Sequence, residues 1–362
     1  MNNYNFYPEW KSNEYYFFGD DLRKYPDAWC YVVWSRRGPG KTYSSLRFAY
    51  ENNIPIVYMK RTIEDVGTIC ANSDGLDLSP YVPINRDSGS TIKPRLIRKG
   101  LGGFYANMDD DGNAIGVPFS YIVALNAMKT IKGMDLSNAD WLMLDEFIPQ
   151  IGETIRHAEG QMLLDMYMTI ARDRVKRGRE QLKLILFANA ENISTPITSE
   201  LEIIDNMVDL SASGESHMYL EDRGILLHHI TQKEIPLAPM EMNGIYKAMQ
   251  GTAWGEKAFG GEFSANDFTN VGHKRLKGFQ PIARFRYKRR EYCIWRKDEY
   301  VYVCSAKGTT GRFYDIDTEN GQKLFYAEIV RMLRDDTANG YVTYEMYSLY
   351  DLIMNFRKIY KI

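Results

Sequence analysis

The chain has 362 residues, 44% hydrophobic and 13% aromatic, which is enough apolar material for two packed domains. No stretch reaches the roughly 20 apolar residues that span a bilayer, and no basic region followed by an apolar run reads as a secretion signal, so membrane and secreted classes are set aside. The net charge of −2 hides an asymmetry: Phe268–Ile362 holds 18 Lys and Arg against 11 Asp and Glu, a net of +7, and the remainder 27 against 36, a net of −9, giving the C-terminal part its own cationic character.

In chain order, Ala28–Trp34 reads as a buried strand, followed by a glycine-containing turn and a helix over about Thr42–Asn52. Ile54–Met59 is a second strand. A hairpin-like insert is expected between about Arg95 and Val117, turning at Asp110-Asp111-Gly112-Asn113; this acidic run lacks the ligand spacing of a Ca²⁺ loop. Strands follow at Val117–Leu125, Trp141–Leu144 and Leu182–Phe187, with a helix over Ala158–Gly178 that carries Leu163, Met166, Tyr167 and Ile170 on one face. Alternating strands and helices predict a parallel sheet with helices on both faces, an α/β domain over residues 1–208. Residues 209–267 read as a connecting segment with a helical stretch near Ile245–Gln250. From Phe268 the texture changes to short aromatic strands at Ala283–Tyr287, Tyr292–Trp295, Tyr300–Cys304 and Gly311–Ile316. Helices at about Lys323–Arg334 and Tyr344–Ile359 complete a small α+β domain over 268–362. Cys30, Cys70, Cys293 and Cys304 show no C-x-x-C spacing and are expected as buried free thiols. His228 and His229 have no second ligand cluster nearby in the sequence, which argues against a metal site.

Two motifs carry chemistry. Ser35-Arg36-Arg37-Gly38-Pro39-Gly40-Lys41-Thr42 follows a strand and opens a helix, the context that a phosphate-binding G-x-x-x-x-G-K-[ST] loop needs. Its glycines let successive N–H groups face phosphate oxygens, and the helix adds its positive end. Lys41 is placed to reach the β- and γ-phosphates, and the Thr42 hydroxyl to ligate Mg²⁺. Ser35 departs from the glycine expected first. The second motif is Trp141-Leu-Met-Leu-Asp145-Glu146, an apolar strand delivering two acids to the ligand-binding edge of a parallel sheet. Asp145 is assigned to Mg²⁺ and Glu146 to orienting and deprotonating water. The combination predicts an ATPase using ATP and Mg²⁺. Asn189, ending another strand, is placed as a γ-phosphate sensor or as an ordinary turn residue.

Other cations have two readings each. Arg172, in Ala171-Arg172-Asp173-Arg174, is either an arginine finger or a solvated basic helix end; it is expected to lie toward the active edge of the sheet. Lys129 and Lys132 precede the acidic strand and are candidates to act across an interface. Lys274–Lys297 holds ten Lys and Arg and one acid among aromatic residues; Lys274, Arg275, Lys277, Arg284, Arg286, Lys288, Arg289 and Arg290 form a nucleic-acid-binding face or a solvated sheet face.

With these motifs in hand, the chain resembles the DNA-packaging ATPases of phi29-type tailed bacteriophages, a branch of the additional-strand ring ATPases related to terminases and FtsK/HerA translocases. The resemblance spans most of the chain. It rests on Ser35, Arg37, Gly38, Gly40, Lys41 and Thr42 in the loop, Leu144-Asp145-Glu146-Phe147-Ile148, Ala171-Arg172-Asp173-Arg174, Ala188-Asn189-Ala190, and Gly251-Thr-Ala-Trp-Gly-Glu256. It implies a finger at Arg172, a trans-acting Lys132, and a ribonuclease-H-like C-terminal domain that binds nucleic acid. It also implies a homomeric ring, expected to be a pentamer, that drives double-stranded DNA into a procapsid through the portal. The location implied is the cytoplasm of the infected bacterium, and a structural packaging RNA is admitted as a further partner. Asp315, Asp317 and Glu319 leave a terminase-like motor with metal-dependent nuclease activity as the alternative.

Overall fold

A computed structural model describes all residues except 1–3, 72–76, 110–113, 128–133, 151–152, 154, 238–241, 243, 262 and 264–265. The chain divides into two units, Met1–Leu201 with Asp209–Ala265, and Glu202–Val208 with Asn266–Ile362. No helix among the described residues is long and apolar enough to cross a membrane.

The first unit is built on a nine-stranded sheet of order β3-β4-β5-β2-β6-β7-β1-β9-β8. Its strands are β1 Cys30–Ser35, β2 Ile56–Lys60, β3 Lys93–Arg98, β4 Leu101–Tyr105, β5 Ser120–Ala124, β6 Trp141–Leu144, β7 Lys183–Asn189, β8 His217–Leu220 and β9 Ile225–Ile230. The six strands from β5 to β9 pair in parallel, while β3, β4 and β8 pair antiparallel. β1, β6 and β9 are buried along their whole length, which explains their unbroken apolar or aromatic runs: a central parallel strand meets packing on both faces. Helices α1 Phe18–Lys24 and α2 Lys41–Glu51 bring Phe18 and Phe48 onto Trp141, with ring centroids 5.2 and 6.0 Å away. Each such buried aromatic contributes about 1.5–3 kcal/mol through removal from water.

The expected turn of the insert at 110–113 lies outside the described residues; Met108 and Ala114 on either side form an antiparallel bridge, and a further hairpin turns at Lys99-Gly100, between β3 and β4. Two expectations need correcting. The helix expected over Ala158–Gly178 is α3, Glu159–Ala171. It stops because Asp173 takes a left-handed conformation (φ 53°) and Arg174 turns its side chain inward to full burial. The segment read as a connector does not simply connect: β8 and β9 extend the main sheet, and residues 209–265 group with the first unit. β9 carries two adjacent histidines, His228 and His229, among its apolar residues, yet is buried along its whole length.

The second unit carries a five-stranded sheet of order β13-β10-β11-β12-β14, with β10 Gln280–Tyr287, β11 Arg290–Lys297, β12 Tyr300–Cys304, β13 Arg312–Asp315 and β14 Val342–Tyr344. β10, β11 and β12 form an antiparallel meander, while β13 and β14 pair in parallel at its two edges. Its core joins Phe285, Ile294, Val303 and Phe325 to Leu349, Leu352 and Phe356. All four cysteines are free and buried.

Candidate active site

Parallel register assembles the site. Ser35 ends β1 opposite Asn189, which ends β7, and Leu144 of β6 pairs with Leu186 of β7. Asp145 therefore emerges at the same edge, one strand beyond Asn189. The intervening strand β7 separates the loop-bearing and acid-bearing strands by about 10 Å, two inter-strand spacings.

The loop from β1 to α2 has its glycines where the backbone demands them: Gly38 and Gly40 hold φ of 97° and 90°, accessible to glycine at little cost. Gly40 caps α2 with no side-chain hydrogen bond, so the first-turn N–H groups of the helix remain available to an anion. Pro39 is buried, and its carbonyl accepts from the Tyr16 N–H at 2.9 Å. Arg37 is exposed at the cavity mouth. The supposed connector braces the loop from behind. The Arg36 guanidinium donates to the Pro236 carbonyl at 3.2 Å, and a Cβ on Gly261 (φ 75°) would meet the Arg36 nitrogen at 2.7 Å.

Lys41 is buried beneath the loop. Its ammonium donates to the Ser35 hydroxyl, to the Arg36 carbonyl at 3.3 Å and to Asn189 Oδ1 at 3.4 Å. Ser35, the departure from the glycine pattern, is thus a partner of the loop lysine. Burial pushes the Lys41 pKa down to about 8, opposed by the Asp145 and Glu146 carboxylates; an ammonium so desolvated gains more than a solvated one from an arriving anion.

The Thr42 hydroxyl donates to Asp145 Oδ2 at 3.1 Å. Two oxygens at adjacent corners of a Mg²⁺ octahedron, with bonds of about 2.1 Å, stand roughly 3 Å apart, so this pair fits the ion. Tyr58 also donates to Asp145 Oδ2, at 3.0 Å, and burial, with Asp145 adding to it, raises its pKa well above the usual tyrosine value. Glu146 is half-exposed and adopts a left-handed conformation, φ 58°, a costly state that packing must enforce. Arg61 holds it there, donating to the Glu146 carbonyl at 3.2 Å and the Phe147 carbonyl at 3.0 Å. Lys60 lies 3.9 Å from Asp145 and 3.7 Å from Glu146. Lys41, Thr42, Asp145, Glu146 and Asn189 line one cavity of about 360 Å³. Tyr58, Lys60 and Arg61 were missed at the sequence level; their signal was their place at the end of β2, the neighbour of the acid-bearing strand.

Arg172 is not at this edge. The Arg174 side chain beside it donates to the Ser137 carbonyl at 2.8 Å and to the Ala139 carbonyl, and pairs with Asp140 at 2.5 Å, all before β6 begins. The turn bearing Arg172 therefore sits at the amino edge of the sheet, opposite the acids, which corrects the expectation that it faces its own active edge. Arg172 is exposed there. Lys129 and Lys132 lie outside the described residues.

Two solved structures match over nearly the whole chain. One is the phi-28 gp11 DNA packaging motor, with a TM-score of 0.61 and 18% identity over 97% of this chain and 99% of that one. The other is the bacteriophage phi-29 viral genome packaging motor assembly, with a TM-score of 0.62 and 15% identity over 96% and 99%. The chain shares their fold. No protein-family model and no curated protein sequence matches it.

In the second unit the basic segment alternates as expected. Ala283 and Phe285 are buried, while Arg284 and Arg286 lie on the other face over Phe313, at 5.8 and 5.5 Å. Arg286 pairs with Glu291 and Asp315, and Arg290 with Glu202. Lys274, Arg275 and Lys277 are exposed. Lys288 and Arg289 form the β10–β11 turn, both left-handed with φ of 49° and 62°, a conformation usually given to Asn-Gly. Asp317 accepts both turn N–H groups, at 2.8 and 2.9 Å. Asp315 is spent on Arg286, and Glu319 on Lys323 at 2.6 Å. Among the described residues these three acids form no metal-sized cluster.

Proposed function

We propose that the chain is an ATP-hydrolysing subunit of a viral genome-packaging motor that moves double-stranded DNA into a procapsid. The observation that carries this reading is the convergence of Lys41, Thr42, Asp145, Glu146 and Asn189 on one cavity at the carboxyl edge of a parallel sheet. The extra strand between β1 and β6 and the shared fold support it.

In this reading the loop amides and the Lys41 ammonium hold the triphosphate. Thr42 and Asp145 hold Mg²⁺, which neutralises charge on the phosphate oxygens. Glu146 orients the attacking water and accepts its proton, and Asn189, tied to Lys41, senses whether the terminal phosphate is present. Lys60 and Arg61 set the position of the Glu146 carboxylate. Arg172, at the opposite edge, acts on the site of a neighbouring subunit in a ring; pentamer, portal docking, the trans role of Lys132 and the host-cytoplasm location follow the resemblance. The second unit serves as the ribonuclease-H-like nucleic-acid-binding module. Its exposed Lys274, Arg275, Lys277 and Arg289, with the half-buried Lys288, contact phosphates, and sequence-blind contact suits packaging. The nuclease alternative is weakened because Asp315, Asp317 and Glu319 are engaged in holding the local structure.

The test is ATPase turnover with and without double-stranded DNA and empty capsids. Stimulation by both is expected; turnover indifferent to both rejects the motor reading in favour of an assembly switch.

A further inference from the structure

Behind the phosphate loop, a buried histidine stands between two carboxylates. His228 lies on β9 and pairs in register with Val33 of β1, the strand that delivers the loop. Its side chain is 2% exposed. Nδ1 lies 2.8 Å from Asp21 Oδ2 of α1, and Nε2 lies 3.0 Å from Glu234 Oε2, in the segment after β9. A carboxylate oxygen only accepts, so both ring nitrogens donate and the ring is an imidazolium.

The surrounding groups account for one extra proton and no more. Asp21 also accepts from the Tyr16 hydroxyl at 2.8 Å and from His217 Nε2 at 3.1 Å. His217, on β8, stacks on His228 with ring centroids 3.8 Å apart. Its Nδ1 accepts from the Ser216 hydroxyl at 2.7 Å, which leaves it a neutral tautomer. His229, next along β9, stacks on Trp34 instead, 5.2 Å away, and burial lowers its pKa to about 4. Burial opposes the His228 charge, but Asp21 and Glu234 outweigh it and raise its pKa to about 9. Burial likewise works against the Asp21 carboxylate, yet His228 and His217 hold its pKa well below the usual carboxylate range.

Both arms of this network reach the loop. On one side, Tyr16, whose hydroxyl meets Asp21, gives its backbone N–H to the Pro39 carbonyl at 2.9 Å. On the other, the two residues after Glu234 supply carbonyls to the Arg36 guanidinium, Ile235 at 3.5 Å and Pro236 at 3.2 Å. We propose that the His228 imidazolium is a positioning residue of the phosphate-binding loop, clamping Tyr16 and the 231–236 segment against it so that its backbone is set before a nucleotide arrives. This role rests on reading the cavity as a nucleotide site. Because the folded pKa of about 9 exceeds the free value of about 6.5, the stabilisation is complete below about pH 6.5 and is lost as pH rises through about 9.

The test titrates the full chain with MgATP by calorimetry at pH 7, below the melting range of each variant. His228→Gln, which offers one donor nitrogen in place of two, and Glu234→Ala are each expected to weaken binding about 10-fold, the worth of one misplaced loop contact. In turnover both are expected to raise KM and leave kcat within about twofold, because Asp145 and Glu146 are untouched. Glu234→Gln, whose amide oxygen still accepts from Nε2, is expected to keep near-parent affinity at pH 7, while the alkaline fall in its thermal midpoint begins at lower pH than in the parent. Arg174→Ala, destabilised at the opposite edge of the sheet, is expected to keep parent affinity. Parent-like affinity in both His228→Gln and Glu234→Ala overturns the inference, as does an equal loss in Arg174→Ala or an unshifted alkaline fall in Glu234→Gln. A parent chain that binds no MgATP defeats the nucleotide reading instead, and the clamp is then judged on the alkaline shift alone.

Discussion

In the proposed reading, Lys41 and Glu146 divide the chemistry between holding a nucleotide and breaking it. The Lys41 ammonium has only neutral oxygens within hydrogen-bond reach, those of Ser35, Arg36 and Asn189, so its charge is available to an incoming phosphate. Lys41→Ala is expected to weaken MgATP binding about 10–100-fold, the worth of a charge-assisted hydrogen bond, as read by calorimetric titration. Glu146→Gln keeps the shape of the side chain and removes its basicity. Binding is expected to persist while turnover falls about 10²–10⁴-fold, measured by phosphate release. Ser35, which departs from the sequence pattern, and Asn189, whose register opposite Ser35 decides its reach, were both legible in the sequence as positions. Their joint contact with Lys41 was not, because it depends on two strands separated by more than a hundred residues.

At the scale of elements, the turn after α3 has two arginines with different duties. Arg174 is buried and holds the carbonyls of Ser137, Ala139 and Glu180. Arg174→Ala leaves those oxygens and Asp140 without it and is expected to destabilise the first unit by about 3 kcal/mol, visible in denaturant unfolding. Arg172→Ala touches no such network, so its fold is expected to survive while ring hydrolysis drops about 10³–10⁵-fold. Mixing it with Lys41→Ala subunits is expected to restore turnover where an intact finger meets an intact loop; mixtures with no recovery reject a trans role. The β10–β11 turn offers a second contrast. Lys288→Asn with Arg289→Gly relieves two left-handed side-chain residues and removes two cations. The double variant is expected to be more thermostable than the parent, to bind DNA more weakly, and to show a salt dependence shallower by about two phosphate contacts. Strand and helix existence was readable from apolar runs, but the helix expected to reach Gly178 ended at Ala171 because a buried side chain, invisible to periodicity, turned the chain.

At the scale of the whole molecule, the thiols report on integrity. Burial pushes the Cys70 and Cys293 pKa values up to about 11 and raises those of Cys30 and Cys304. All four are expected to resist a thiol reagent at neutral pH until the protein unfolds; rapid reaction of the native chain contradicts the buried assignment. The loop at Ser35–Thr42 and the acid pair at Asp145–Glu146 could be identified from sequence because each is a contiguous segment whose chemistry is contained in its own residues and immediate flanks. The charge contrast between the two parts of the chain was likewise a property of composition. Tertiary structure alone decided that Arg172 lies at the amino edge, that Lys60 and Arg61 flank the acids, that residues 209–265 extend the main sheet, and that Asp21 meets His217 and His228. Each of these follows from which distant strands pair and in what register, and side-chain neighbours created by pairing leave no periodic trace along the chain.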